Sequence, residues 1–253
     1  MTSRAMLVSS SQRLIFSTPE AVANAVADLI IKVVQEKPSA TLGLATGGTM
    51  EPVYARLVTA FKHGEISFSA VTSFNLDEYA ELPPEHPGSY RSTMNALLFD
   101  HVDIDKSRTF LPEANGSEPD KSGARYEDMI AAAGGIDLQL LGIGRNGHIG
   151  FNEPGSARDS RTRLVNLHTD TLEANARFFA DRPVPRSAMT MGIGTILSAR
   201  KIALVATGAS KTDAIHRATQ GGFQADCPAS ALQDHGQVTW FLDTAAAGLQ
   251  RAA

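Results

Sequence analysis

The sequence predicts an α/β protein with a mostly parallel sheet covered by helices on both faces, and three observations carry that prediction. Short apolar runs alternate with stretches of helical periodicity along the whole 253-residue chain. The runs are short and mostly apolar, as strands of a parallel sheet covered on both faces are. Polar, glycine-rich segments stand where several of them stop, which is where open parallel sheets bind their ligands.

Thr18-Pro19-Glu20 sets a capping residue, a first-turn proline and an acid ahead of Val22, Val26, Leu29, Ile30 and Val33. That spacing makes one helical face and predicts a helix from Pro19 to Gln35. Pro38 ends it. Ala40 to Ala45 reads as a strand that stops at Thr46-Gly47-Gly48-Thr49, and Val53, Leu57, Val58 and Phe61 then resume helical spacing. Further strands are predicted at Val71 to Leu76, before a loop carrying Asp77, at Ile136 to Ile143 before Gly144-Arg145-Asn146-Gly147-His148, and at Lys201 to Thr207 before Gly208-Ala209-Ser210. Tyr90 to Phe99, Gly123 to Ala132, Thr171 to Ala180 and Lys211 to Thr219 read as helices, and Val238 to Leu242 as the last strand. No repeat or linker divides the chain, so a single Rossmann-like domain over residues 1–253 is expected.

Composition narrows the function. With 43% apolar and 20% charged residues the chain can bury a large core. Lys plus Arg number 23 against 27 Asp plus Glu, a net charge of −4 without long runs of one sign. Neither nucleic acid nor an anionic membrane is therefore an expected partner, whereas a small phosphorylated ligand is compatible. The single cysteine, Cys227, excludes an internal disulfide framework, and no apolar segment reaches the roughly 20 residues of a membrane span. A cytoplasmic location is expected, with monomer or homo-oligomer left open.

Four segments offer chemistry. Thr46-Gly47-Gly48-Thr49, between a strand and a helix, reads either as a tight turn or as an anion cradle of exposed N–H groups. It lacks the patterns of nucleotide-binding loops. Ser210-Lys211 offers a hydroxyl and an ammonium at a second strand end, or simply a cap beside a solvated lysine. Asp77-Glu78 follows an apolar strand, where burial can raise a carboxyl toward the range of a general base; a turn-stabilising role is the plainer alternative. The fourth segment, Gly142 to Gly155, combines glycines with His148 and Glu153. A neutral imidazole there can exchange protons near neutral pH, with the carboxylate orienting it, or it can be a histidine satisfied within a glycine loop. The remaining histidines are scattered and there are no paired cysteines, so no metal and no other cofactor is expected.

Taken together, LATGGTMEPVY (Leu44 to Tyr54), FNLDEY with HPGSYR (Phe74 to Arg91), LLGIGRNGHIGFNEPGS (Leu140 to Ser156) and SRTR with NARFF (Ser160 to Phe179) resemble the glucosamine-6-phosphate deaminase family. The similarity continues through MGIGTIL, TGASK and PASALQDH. It implies conversion of glucosamine 6-phosphate and water to fructose 6-phosphate and ammonia, without cofactor or metal. It further implies that His148, supported by Glu153 and Asn146, opens the sugar ring, and that Asp77 moves the C2 proton to C1. Gly47, Gly48, Thr49, Arg177 and Lys211 would hold the phosphate, with Arg163 as a weaker candidate for a ligand or effector contact.

Three positions depart from the family pattern. Asn146 stands where many members carry aspartate, Met50 replaces a frequent proline, and Val165 occupies a position that is basic in members activated by an amino-sugar phosphate. Such activation is not expected here. Related sugar-phosphate lactonases share the glycine loop and histidine but continue with Ser-Leu-Phe-Pro, where this chain has Gly150-Phe151-Asn152-Glu153-Pro154. Lactonase, galactosamine-6-phosphate deaminase and a non-catalytic phosphosugar sensor are the alternatives.

Overall fold

The computed structural model describes residues 11–176, 179 and 183–249. Seven strands form one sheet in which every pairing is parallel, in the order β1 (Gln12–Phe16), β10 (Val238–Asp243), β9 (Lys201–Ala206), β6 (Leu138–Leu141), β2 (Thr41–Leu44), β3 (Thr72–Asn75), β5 (Thr109–Phe110). β2, β6 and nearly all of β9 are buried, matching their mostly apolar runs. β1 escapes sequence detection because it is an edge strand with polar Gln12 and Arg13 and mixed exposure. Pairing, rather than intrinsic preference, makes it a strand.

Helices flank the sheet. α1 (Pro19–Glu36) runs one residue beyond its predicted end; its Thr18 hydroxyl accepts from the Ala21 N–H at 3.1 Å, and Val22, Val26, Ile30 and Val33 are buried. Such a cap is worth about 1 kcal/mol. α1 lies along β9 and β10 and against α2 (Glu51–Lys62), while Tyr126 of α4 (Pro119–Ala132) packs edge-on against Phe74 of β3. α4 starts four residues before the predicted Gly123, at a proline that pre-sets the first turn. The predicted helix over Tyr90 to Phe99 divides into α3 (Tyr90–Met94) and a widened turn (Asn95–Phe99), closed by Asp100 N–H donating to Asn95 O at 3.0 Å. α5 (Thr169–Asn175) starts two residues before the predicted Thr171, and the predicted end at Ala180 lies outside the described residues. α6 (Ile193–Leu197) and α7 (Thr212–Ala218) complete the set. Among the described residues no helix is long and apolar enough to cross a membrane.

The sequence missed a second sheet of three antiparallel strands, β4 (Asp77–Tyr79), β8 (Ser187–Thr190) and β7 (Arg163–Asn166). Asp77 therefore opens a strand, not a loop as expected. Leu76 is the joint: its N–H donates to Leu44 O of the large sheet at 2.9 Å, and its carbonyl accepts from Met191 N–H beyond β8 at 2.7 Å. Charged Asp77 and Glu78 argue against a strand from composition alone, and long-range pairing with Thr190 and Met189 overrides that bias.

Candidate functional site

Chain order in the large sheet reverses between β2 and β6, the kind of switch point that leaves a crevice at the strands' carboxyl ends. The segments singled out in the sequence leave adjacent strands there: Thr46 to Thr49 after β2, Asp77 after β3, Gly142 to His148 after β6, and Gly208 to Lys211 after β9.

Asp77 is 6% exposed. No hydrogen bond engages its carboxylate among the described residues, and burial, with the charge of Glu78 adding to it, raises its pKa to about 8. Glu78 takes the structural role that the sequence offered to either acid. Its Oε1 accepts from the N–H groups of Tyr79 (2.8 Å) and Tyr90 (2.9 Å), and its Oε2 from Arg91 N–H (2.9 Å), tying β4 to the start of α3. Asp77 pairs with Thr190 across the small sheet and faces Gly150, where an added Cβ would stand 3.5 Å from Asp77 Oδ2 and 3.0 Å from Thr190 Oγ1. Gly150 takes φ 57°, and its lack of a side chain brings the strip after His148 up to the buried acid.

His148 and Glu153 meet in the loop after β6. Nδ1 of His148 faces Glu153 Oε2 at 3.4 Å, within ion-pair range but without hydrogen-bond alignment. Asn146 Nδ2 donates to the same oxygen at 2.8 Å, and Asn146 Oδ1 accepts from His148 N–H at 3.2 Å, so the amide that replaces a frequent aspartate bridges acid and loop backbone. Burial would raise the Glu153 carboxyl, but the proximity and charge of His148, followed by bonds from Thr171 and Asn146, bring it down to about 2. Glu153 is therefore ionised at neutral pH. Its Oε1 accepts from the hydroxyl of Thr171 in α5, a buried partner that sequence reading missed because nothing in the Thr171 context marks it beyond a helix start.

The loop is fastened from outside as well. Ala229 N–H donates to Gly147 O at 2.9 Å, and Gly155 N–H to Ala225 O at 2.7 Å. Asn152 is fully buried and satisfies its amide on Ile149 O, Met191 O and the Arg163 guanidinium, at 2.9, 2.8 and 2.9 Å. Arg163 also reaches Ser156 Oγ at 3.3 Å, so its guanidinium is engaged in holding the loop. The SRTR stretch is a strap: the Glu127 carboxylate in α4 accepts from Arg161, Thr162 and, in α6, Thr195.

The anion candidates flank the same strand end. Gly47 (φ 117°) and Gly48 are exposed, and a Cβ on Gly47 would meet nothing within 4 Å, leaving the backbone open to a ligand. Thr49 is half-buried, and Met50, at the foot of this turn, lies 3.6 Å from where a Gly142 Cβ would stand. On the other side Gly208 (φ 87°) donates to both oxygens of buried Asp243 at 3.0 Å, turning the chain so that Lys211 Nζ donates to Ile143 O at 2.7 Å. Burial, then the nearby charge of Arg145, holds the Lys211 pKa below the usual lysine value. Lys211 itself is the N-cap of α7, so Ser210 is not the expected cap. Arg177 lies outside the described residues. Among the described residues no cluster of three or more His, Cys, Asp or Glu side chains is arranged to hold a metal ion.

Residues 17–240 match the family of glucosamine-6-phosphate isomerases and 6-phosphogluconolactonase. The chain is 53% identical over 232 residues to glucosamine-6-phosphate deaminase of Rhodopirellula baltica, covering 91% of this chain and 92% of that one. It is 51% identical over 234 residues to the deaminase of Cellvibrio japonicus, covering 92% and 89%. The solved structure of a monomeric glucosamine-6-phosphate deaminase superposes with a TM-score of 0.91 at 44% identity, over 94% of this chain and all of that one. The 6-phosphogluconolactonase of Trypanosoma brucei shares the fold, with a TM-score of 0.74 at 20% identity over 94% and 98%. The chain belongs to the glucosamine-6-phosphate isomerase and 6-phosphogluconolactonase family.

Proposed function

We propose that the protein is a glucosamine-6-phosphate deaminase in which His148 and Asp77 carry separate protons. The observation that carries this reading is the presence of two unlike proton carriers at neighbouring strand ends, Asp77 lying against Gly150 two residues after His148: a partly exposed imidazole backed by an ionised carboxylate, and a buried carboxyl without a hydrogen-bond partner among the described residues. Lactone hydrolysis needs one base to activate water. Aldose–ketose isomerisation also needs a base shielded from water that moves a carbon-bound proton between neighbouring atoms.

In this reading the phosphate rests on Gly47, Gly48 and Thr49 with Lys211 and Arg177. With Nδ1 turned to Glu153, the Nε2 of His148 takes the proton of the O1 hydroxyl and returns it to the ring oxygen as the C1–O5 bond breaks. The C2 proton becomes acidic only beside the aldehyde so formed. Asp77, whose conjugate acid near 8 makes it a stronger base than an ordinary carboxylate, removes it. The charged amine at C2 favours the ionised form of Asp77 in the complex. The freed pair forms the C1–C2 double bond while the aldehyde oxygen takes a proton from the C2 ammonium, which leaves a neutral enolamine. Asp77 then delivers its proton to C1, leaving a C2 iminium; water adds at C2, the C2–N bond breaks, and ammonia leaves as the ketone forms. The amino-sugar relatives support this assignment, as does Asn152-Glu153-Pro154 in place of the lactonase sequence.

The test is release of ammonia and fructose 6-phosphate from glucosamine 6-phosphate, with galactosamine 6-phosphate and 6-phosphogluconolactone in parallel. Stoichiometric release of both products from glucosamine 6-phosphate is expected. Acid release from the lactone without ammonia from either amino sugar would overturn the reading.

A further inference from the structure

Among the described residues three groups meet the Glu153 carboxylate, and two of them, Asn146 and His148, lie in its own loop. The third is Thr171, 6% exposed in the first turn of α5, whose hydroxyl donates to Oε1. A threonine at a helix start ordinarily spends its hydroxyl on neighbouring backbone. This one is aimed across a gap of eighteen residues at a carboxylate. The terminal torsion of a glutamate is broad, so Asn146 alone would leave the carboxylate free to turn. Donors on both oxygens fix its plane and present Oε2 to His148 Nδ1.

We propose that Thr171 is a positioning residue for the reaction: its hydroxyl holds the Glu153 carboxylate in the orientation that sets Oε2 opposite Nδ1 of His148 and leaves Nε2 turned to the sugar. The inference rests on the deaminase reading and adds α5 to the machinery. Among the described residues the groups facing Glu153 are His148 and Asn146 from the loop after β6 and Thr171 from α5, of which His148 is the titratable one. Losing the Thr171 bond moves Glu153 toward its ordinary pKa, so protonation, and with it loss of support for His148, begins at higher pH.

The experiment compares Thr171→Val, which keeps shape and removes the donor, with Thr171→Ser, which keeps the donor. Thr171→Val is expected to lower kcat about tenfold with little change in KM, and to shift the acid limb of the kcat profile up by about one unit. Thr171→Ser is expected to stay close to wild type in both. Thr171→Ala serves the same purpose as Thr171→Val if the latter does not fold, as judged by its melting curve. A wild-type pH profile and kcat for the donor-less variant would overturn the proposal, as would equal losses in Val and Ser, which would assign the effect to disturbed packing rather than to the hydroxyl. Absence of ammonia release from the wild type would instead refute the deaminase reading, so the two failures are distinguishable.

Discussion

The imidazole of His148 lies against the bare Cα of Gly144: a Cβ there would stand 2.3 Å from both Nδ1 and Cε1 of the ring. Gly144 also closes the loop, donating its N–H to His148 O at 2.9 Å. Glycine is therefore required by close approach. Gly144→Ala is expected to displace the ring from Glu153 and lower kcat by about 10²-fold, the scale of a misplaced catalytic group, with a smaller effect on KM. Steady-state kinetics check this, and an unchanged kcat would show that the ring position seen here is not the working one.

Asp77 makes stability depend on pH with a definite sign. Its folded-state pKa, about 8, lies above the ordinary value of 3.8, so the native chain holds a proton that the unfolded chain has lost across that interval. Its contribution is fully present below about pH 4 and is lost as pH rises through about 8, at no more than about 1.4 kcal/mol per pH unit. Asp77→Asn cannot ionise. The variant is expected to gain stability relative to wild type between pH 5 and pH 8.5, measured as urea midpoints, and parallel curves for the two proteins would contradict the burial of this carboxyl.

In the proposed phosphate site, Lys211 separates binding from chemistry. Its ammonium sits on Ile143 O beside the loop after β6 and makes no ion pair among the described residues. Lys211→Met should raise KM by about one to two orders of magnitude and leave kcat within a few fold, because a phosphate contact away from the reacting carbons binds ground and transition states alike. Inorganic phosphate inhibition should weaken in step. A loss confined to kcat would move Lys211 out of the phosphate site.

How far the sequence reached follows from what each residue depends on. Strands β2, β6 and β9 and the helix from Pro19 were legible because mostly apolar runs and a Thr-Pro start are local signals. The small sheet was not, since Asp77-Glu78-Tyr79 and Ser187 to Thr190 become strands only by pairing with each other across more than a hundred residues, with β7 joining on the far side of β8. Asp77, His148 and Glu153 stood out by residue type at strand ends, and the fold brings Asp77 to Gly150 and Glu153 to His148. Thr171 and the Arg163 to Asn152 contact left no local trace, because each is a side-chain bond between segments whose proximity the fold alone decides.

The central claim is that Asp77 moves the C2 proton while His148 opens the ring, and one comparison tests it most directly. Wild type and Asp77→Asn are given glucosamine 6-phosphate, with ammonia release followed alongside binding of a non-reacting phosphosugar. The account predicts a loss of about 10² to 10⁴-fold in turnover for the variant with binding nearly unchanged. Turnover at the wild-type rate would contradict it.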